Sequence, residues 1–337
     1  MHPQAVPNKG VLYKETWFWS WKRYGSTNNG RYQTIDEFTE LFELPVKMKY
    51  DPVHSRLYSN AVIGHGDPMD IWFPYDWRKI PQNDPTLPEP RYITAHLIKH
   101  VDPTIKLILM LRNPIERLLS HYINQRKYEK NLFPEEFHDK VNTSIDIFVK
   151  CVQQNGTRAC AYDHYIFEQM QVPLTASLYS VFINDWLKVF DKEQILIIRT
   201  EDYRENSGGT LVKVFEFLDL DNIDVKLLRK MACKQKTYTT NYQTVSGRIL
   251  KHTRELLESF YATSQSDLQN LLEEYHVDLN LDSLHIDEQQ MNCSEPVKDV
   301  RLQKLDSTYL KTNSPKQQKV LTYKIHKGKG DKFISIE

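Results

Sequence analysis

Arg112, Arg117 and Ser120, spaced as they are in LILMLRNPIERLLSHY, are the residue types that can hold a compact anion. A guanidinium offers a fixed charge and planar donors, and a hydroxyl adds a neutral donor. Asn113 is a good helix N-cap, and Pro114 suits the first helical turn, where its missing N–H would have had no partner. Free backbone N–H groups and the positive end of the helix dipole are then expected to face whatever lies beyond the strand tip, which favours a phosphate. Arg117 and Ser120 stand three residues apart on one helix face, so both can reach the same anion. The competing reading is that Arg112 and Arg117 are surface charges and Ser120 an ordinary helix residue, because strand-to-helix turns with an Arg are common.

The elements that must position these residues are legible in the apolar pattern. KLILML (Lys106 to Leu111), bounded by Asp102-Pro103 and Asn113-Pro114, reads as a buried strand, and QILIIR (Gln194 to Arg199) reads the same way. Helical spacing runs through Ile115 to Tyr128, Ile145 to Val152, Leu178 to Phe190 and Leu211 to Leu218. In the third of these, Leu178, Phe182, Trp186 and Val189 lay one apolar face on a sheet. Ile249 to Tyr261 and Leu268 to Tyr275 read as two further helices. Strands alternating with helices predict an α/β fold with a mostly parallel, helix-covered sheet. Arg78 to Arg91 holds four prolines and reads as a surface loop. Two regions are expected, 1–285 as the folded domain and 286–337 as a polar, Lys-rich, disordered tail ending in KIHKGKGDKF.

Composition narrows the partners. Lys plus Arg equals Asp plus Glu at 44 each, so no global field draws the chain to nucleic acid, and any anion site must be local. Ile105 to Leu111 is the longest apolar run and is far too short to cross a bilayer, so no membrane segment is expected in these residues. The four cysteines lack zinc-ligand spacing, and no metal is expected. Cys151 and Cys160 bracket a short polar segment, QQNGTRA, which is open to two readings: a disulfide that closes a loop, or two reduced thiols. Sequons occur at Asn142, Asn155 and Asn292, in keeping with a secretory route.

R-N-P-x-x-R-x-x-S-x-Y after an apolar strand resembles the 3′-phosphate-binding motif of sulfotransferases that use 3′-phosphoadenosine 5′-phosphosulfate. The resemblance implies a P-loop-NTPase-like fold and that Arg112 and Ser120, helped by Arg117, hold the 3′-phosphate of that co-substrate. SLYSVFINDWLKVFDKEQILIIRTEDYRENSGGTLVKVFEFL and RILKHTRELLESFYATSQSDLQNLL are similar to the Golgi carbohydrate sulfotransferases. The Asp-Pro and Trp72 of GHGDPMDIW are most similar to the N-acetylgalactosamine 4-sulfate 6-O-sulfotransferase branch. The acceptor implied is a glycosaminoglycan of the chondroitin or dermatan type, and the location implied is the Golgi. The likeness covers roughly residues 1 to 280.

A sugar hydroxyl is a poor nucleophile until something takes its proton. KGVLYKETWFW resembles the place where heparan-type sulfotransferases carry a catalytic Glu before an aromatic run, which implies Glu15 as the general base. Two departures leave its helpers unnamed: Trp17 stands where many relatives have a His, and Gly66 where some heparan-type members have a Lys. The family also opens with a strand and a Lys-x-Gly-Thr loop that cradles the 5′-phosphosulfate. No such segment precedes Glu15, and Met1-His2-Pro3-Gln4 resembles the family's His-Pro-Gln just past that first helix, so the expectation is a domain lacking the first strand and phosphate loop. A lookalike, Lys22-Arg23-Tyr24-Gly25-Ser26-Thr27, falls after the Glu with no helical pattern behind it and reads as a turn. The resemblance therefore implies a carbohydrate sulfotransferase, with an inactive nucleotide- or glycan-binding remnant as the alternative. A P-loop kinase needs G-x-x-x-x-G-K-[ST], which is absent.

Overall fold

The computed structural model describes residues 2–11, 14–26, 30–42, 49–51, 56–73, 77–126, 133–234, 249–275, 323–325 and 334–336. The first part of the chain runs through β1 (Ala5–Pro7), α1 (Ile35–Thr39), β2 (Lys49–Asp51), β3 (Arg56–Tyr58), β4 (Val62–Gly64), α2 (Met69–Trp72) and α3 (Thr94–Val101). The strand-to-helix unit comes next, β5 (Leu107–Leu111) into α4 (Pro114–Gln125). After it come α5 (Pro134–Asn155), α6 (Thr157–Ala161), α7 (His164–Gln169) and α8 (Tyr179–Leu187). β6 (Ile195–Arg199) leads into α9 (Thr200–Glu205), α10 (Ser207–Phe217), α11 (Val225–Ala232) and α12 (Lys251–Glu274).

The structure is α/β with parallel strands flanked by helices. β5 and β6 run parallel in register from Leu107 opposite Ile195 to Leu111 opposite Arg199, and β1 runs parallel to β4. Among the described residues these pairs do not join into one sheet, and β2 and β3 form a separate antiparallel pair. Pro7 has no N–H to continue a ladder, which keeps β1 short. β5 also departs from the doubly buried strand that its apolar run predicts. Ile108 and Met110 are exposed on one face while Ile195, Leu196, Ile197 and Ile198 of β6 are buried. The two strands are each other's partner among the described residues, and the difference in burial comes from α9 and α10, which pack on β6.

The helix that the sequence divides in two is continuous. Nothing between Tyr261 and Leu268 breaks it, for that stretch contains neither Gly nor Pro. Leu257, Tyr261, Ser264, Leu268 and Leu271 make one buried stripe at alternating spacings of four and three, widened at its end by Leu272 and laid against α8. The polar member of the stripe is satisfied, because Ser264 Oγ and Ser180 Oγ share a hydrogen bond of 2.9 Å. Each fully buried Leu here contributes about 1.5–3 kcal/mol relative to exposure. α5 is likewise longer than the predicted 145–152, since Pro134 supplies a permitted first-turn proline and Phe137, Val141, Ser144 and Phe148 extend the buried face toward the N-terminus.

Arg78 to Arg91 is a largely exposed connection, pinned from inside by Asn83, whose amide donates to Trp77 C=O and Tyr92 C=O at 2.8 Å each. Of the two readings of Cys151 and Cys160, the structure has the disulfide, which joins the end of α5 to α6. Residues up to Ser294 form one compact unit and Glu295–Glu337 a second. The predicted boundary at 285/286 lies outside the described residues. In the second unit, Tyr323–Ile325 (β7) and Ile334–Ile336 (β8) pair antiparallel.

Closing a loop of this length removes about 2–3 kcal/mol of unfolded-state entropy in the chain-entropy picture. The Cys151→Ser, Cys160→Ser double variant is therefore expected to unfold at lower urea concentration by about that free energy. Equal midpoints would show that the loop is ordered without its crosslink.

Candidate active site

The turn from β5 into α4 is built by Asn113. Its Oδ1 accepts from Ile115 N at 3.0 Å and Glu116 N at 3.2 Å, and its C=O accepts from Arg117 N at 2.9 Å. The N–H groups expected to be free for an anion are thus capped within the chain. Asn113 N itself donates to Glu201 Oε1 at 3.0 Å, and Thr200 Oγ1 donates to Leu111 C=O at 2.8 Å, so the start of α9 is tied to the start of α4. An anion at this strand tip must consequently be met by side chains. Arg112 is half-buried there, with its C=O receiving the Tyr179 hydroxyl at 2.9 Å, and Ser120 is half-buried on α4. Ser120 stands about seven helical steps beyond Asn113, roughly 10 Å of rise.

Arg117, which the sequence groups with Ser120, has acceptors inside the fold. Its guanidinium donates to Ser177 Oγ and, at 2.8 Å, to Pro173 C=O. Tyr261 of α12 closes the same knot by donating to Leu174 C=O at 2.9 Å, and burial pushes its phenol up to about 12. Burial, reinforced by the Arg117 charge, lowers His121 to about 4, so the residue beside Ser120 is a neutral imidazole at neutral pH. Glu116 on the same helix pairs with Arg254 at 2.9 Å.

Glu15 belongs to a second constellation. Val11 and Glu15 exchange backbone hydrogen bonds of 2.8 and 3.0 Å, making a tight turn after β1. Gly10 is required in it, because an added Cβ would lie 2.4 Å from the Glu15 carbonyl oxygen. Asn8 staples the turn: its amide donates to Lys14 C=O at 3.1 Å and Gly64 C=O at 2.8 Å, and its Oδ1 accepts from Gly10 N at 2.7 Å. The Glu15 carboxylate receives the Trp17 indole N–H at 3.1 Å and pairs with Lys14 at 2.7 Å, its side chain remaining 18% exposed. Trp17 adopts a left-handed backbone, φ 54°, which turns the indole back onto the carboxylate two residues before it. An indole thus occupies the donor place that a His would be expected to fill.

Around Glu15 the GHGDPMDIW segment gathers further acids. Asp67 accepts from Ser20 Oγ at 3.3 Å and Met69 N at 3.0 Å; burial raises its pKa, and the nearby Glu15 charge pushes the same way. Asp70 accepts from or shares a proton with His65 Nε2 at 2.8 Å, while its other oxygen is buried without a hydrogen-bond partner. Burial raises Asp70 to about 6. A pocket beside it is lined by Tyr24, Phe73, Trp77, Ile93 and Trp186. Sequence reasoning missed Asn8, His65 and Asp70. Asn8-Lys9-Gly10 is a turn signal that could have marked the first, but the His65 to Asp70 pairing has no distinctive spacing.

Residues 41–266 match the family described as Sulfotransferase domain. Carbohydrate sulfotransferase 15 of Mus musculus is 30% identical over 286 residues, covering 81% of this chain and 50% of the relative. The Homo sapiens protein of that name is 30% identical over 291 residues, covering 81% and 49%. The Nototodarus sloanii one is 36% identical over 128 residues, covering 38% and 80%. The chain spans about half the length of the mammalian relatives it matches. A solved sulfotransferase from Alicyclobacillus acidocaldarius aligns with a TM-score of 0.47 at 19% identity, over 82% of this chain and 88% of that one.

Because the folded pKa of Asp70 lies above its ordinary 3.8, the protonated form favours the fold, and that contribution is lost as pH rises from about 4 to about 6. Asp70→Asn keeps an acceptor for His65 and is expected to remove the slope, about 3 kcal/mol at most. Urea unfolding of both proteins from pH 4 to pH 7 checks this; parallel curves would place the perturbation elsewhere.

Proposed function

This chain belongs to the sulfotransferase domain family, and from that premise we propose that it transfers a sulfuryl group from 3′-phosphoadenosine 5′-phosphosulfate to a hydroxyl of a carbohydrate, with a chondroitin- or dermatan-type glycosaminoglycan as acceptor. The observation that carries the reading is the β5–α4 turn, where the R-N-P-x-x-R-x-x-S-x-Y signature meets a strand tip. In this reading Arg112 and Ser120 hold the 3′-phosphate of the donor directly. Arg117, hydrogen-bonded to Ser177 and Pro173, contributes its charge and fixes the helix that carries Ser120. The fit is one of side chains, since the first N–H groups of α4 are already capped.

Glu15 is the proposed base. Sulfuryl transfer is an in-line displacement: the acceptor oxygen forms a bond to sulfur as the bond from sulfur to the bridging phosphate oxygen breaks, and the acceptor proton leaves to a carboxylate. Glu15 is accessible enough to meet a hydroxyl, and Trp17 and Lys14 hold its carboxylate in one orientation. Similarity to carbohydrate sulfotransferase 15 supports a carbohydrate acceptor. The chondroitin-type acceptor and a Golgi lumenal location are the finer parts of the proposal. Among the described residues no helix is long and apolar enough to cross a membrane, and no cluster of metal ligands occurs.

Calorimetry with adenosine 3′,5′-bisphosphate tests the donor site. Arg112→Ala with Ser120→Ala is expected to weaken binding roughly a hundredfold, as loss of two hydrogen bonds to a charged group would. Unchanged affinity would remove these residues from the site. Glu15→Gln is expected to bind the nucleotide normally and to lower sulfate transfer about 10²- to 10⁴-fold. Full turnover in that variant would dismiss Glu15 as the base.

A further inference from the structure

The turn that comes after Glu15 carries two cations in an unusual state. Lys22 Nζ lies 5.6 Å from the centre of the Trp17 ring. The Arg23 guanidinium lies 4.8 Å from the ring of Tyr24, 5.3 Å from that of Trp19 and 5.9 Å from that of Phe18. Among the described residues neither side chain has an ion pair or a hydrogen bond. Other half-buried arginines differ: Arg117, Arg126, Arg158 and Arg254 each donate to an oxygen. Arg23 is partly desolvated, with ring faces its side-chain partners among the described residues, and burial lowers its pKa. Ring faces return only part of the hydration that a guanidinium gives up, so its hydrogen-bonding edge is left for an oxyanion.

The position adds a second constraint. The Trp17 ring under Lys22 is the one whose indole N–H holds the Glu15 carboxylate at 3.1 Å, and Trp21 packs beside it with ring centres 5.8 Å apart. Gly25, with φ 70°, ends the turn by donating to Lys22 C=O at 3.2 Å, and Lys79 reaches the Tyr24 carbonyl at 3.4 Å. Half-buried indoles beside two cations without counter-ions suit a sugar ring that carries negative substituents: the indoles take its apolar face and the cations its oxyanions.

We propose that Lys22 and Arg23 form an oxyanion-binding subsite that takes the sulfate or carboxylate groups of the acceptor chain, one indole away from Glu15. This rests on the carbohydrate-acceptor reading and assigns to two residues the charge recognition that reading leaves unplaced. It also gives the balanced net charge a local meaning, because attraction for a polyanion comes from two uncompensated cations and not from the molecule as a whole.

The test uses the full chain and two hexasaccharides, chondroitin 4-sulfate and unsulfated chondroitin, with binding measured by calorimetry at fixed salt. Lys22→Gln with Arg23→Met keeps both aliphatic stems over the rings and removes the charges. It is expected to weaken the sulfated ligand about tenfold to a hundredfold, with Arg23→Lys recovering part of the loss. Loss confined to the sulfated ligand assigns the subsite to sulfate, and equal loss on both assigns it to the uronate carboxylate. No loss on either overturns the proposal. Should the double variant lack a melting transition, Lys22→Gln alone replaces it, with a loss of about threefold to tenfold expected and none overturning the subsite. Adenosine 3′,5′-bisphosphate is titrated in parallel. Wild-type protein that binds the nucleotide but neither hexasaccharide overturns the subsite and leaves the donor reading standing, and protein that binds neither class of ligand overturns both.

Discussion

The parallel ladder of β5 and β6 ends in register, Leu111 opposite Arg199, and each strand passes at once into a helix. Two hydrogen bonds lock those helix starts together: Thr200 Oγ1 to Leu111 C=O, and Asn113 N to Glu201 Oε1. The position of Arg112 is set by this lock, since it is the single residue between the strand and the cap. With the helix N-terminus already satisfied by Asn113, the turn presents side chains where many phosphate sites present backbone N–H groups. Arg117 of α4 and Tyr261 of α12 then bond to the same segment, 173–177, so Ser120 rides on a helix tied through that segment to α12. The phosphate contact proposed for Arg112 and Ser120 therefore depends on packing at a distance from the anion.

The Glu15 turn is organised by a different kind of force. It has little apolar burial of its own and is held by a buried amide, Asn8, that bridges β1, β4 and the turn through three hydrogen bonds. Gly10 permits the closeness of the two backbone segments. The carboxylate then sees a cation and an indole donor, with Asp67 and Asp70 behind it in a partly dehydrated setting that raises both their pKa values. Burial is the main cause at both Asp67 and Asp70, and at Asp70 the neighbouring Asp67 charge adds to it.

Aromatic residues join this turn to the rest of the domain. Phe18 stacks on Phe38 with ring centres 4.4 Å apart, and Trp21 meets Phe73 at 5.7 Å, so the platform after Glu15 is fastened to α1 and to the end of α2. Arg23 covers the buried rings and Lys22 the half-exposed one. The same side chains therefore seal the core and face solvent with charge, an arrangement that a long aliphatic stem with a polar head makes possible.

Local chemistry made much of this readable from residues alone. KLILML and QILIIR read correctly as strands, though only β6 is buried along its length, Asn113-Pro114 reads correctly as a helix start, and the signature from Arg112 to Tyr122 carries its own family likeness. The proposal of Glu15 as base rests on that likeness and not on physics, because an isolated Glu before an aromatic run has no distinguishing pattern. What residues alone did not decide was everything set by contacts between distant segments. The polar run Ala262 to Asp267 hides a helix that the spacing of Leu257, Tyr261, Ser264 and Leu268 carries through, and packing on α8 is what buries Ser264 within it. Periodicity could not tell that Arg117 meets Ser177, that His65 finds Asp70, or that Cys151 and Cys160 are crosslinked. A hydrogen bond, a disulfide or a stacked ring depends on distances of a few ångströms, and only the packed chain decides whether two residues, five positions apart like His65 and Asp70 or sixty like Arg117 and Ser177, come within that range.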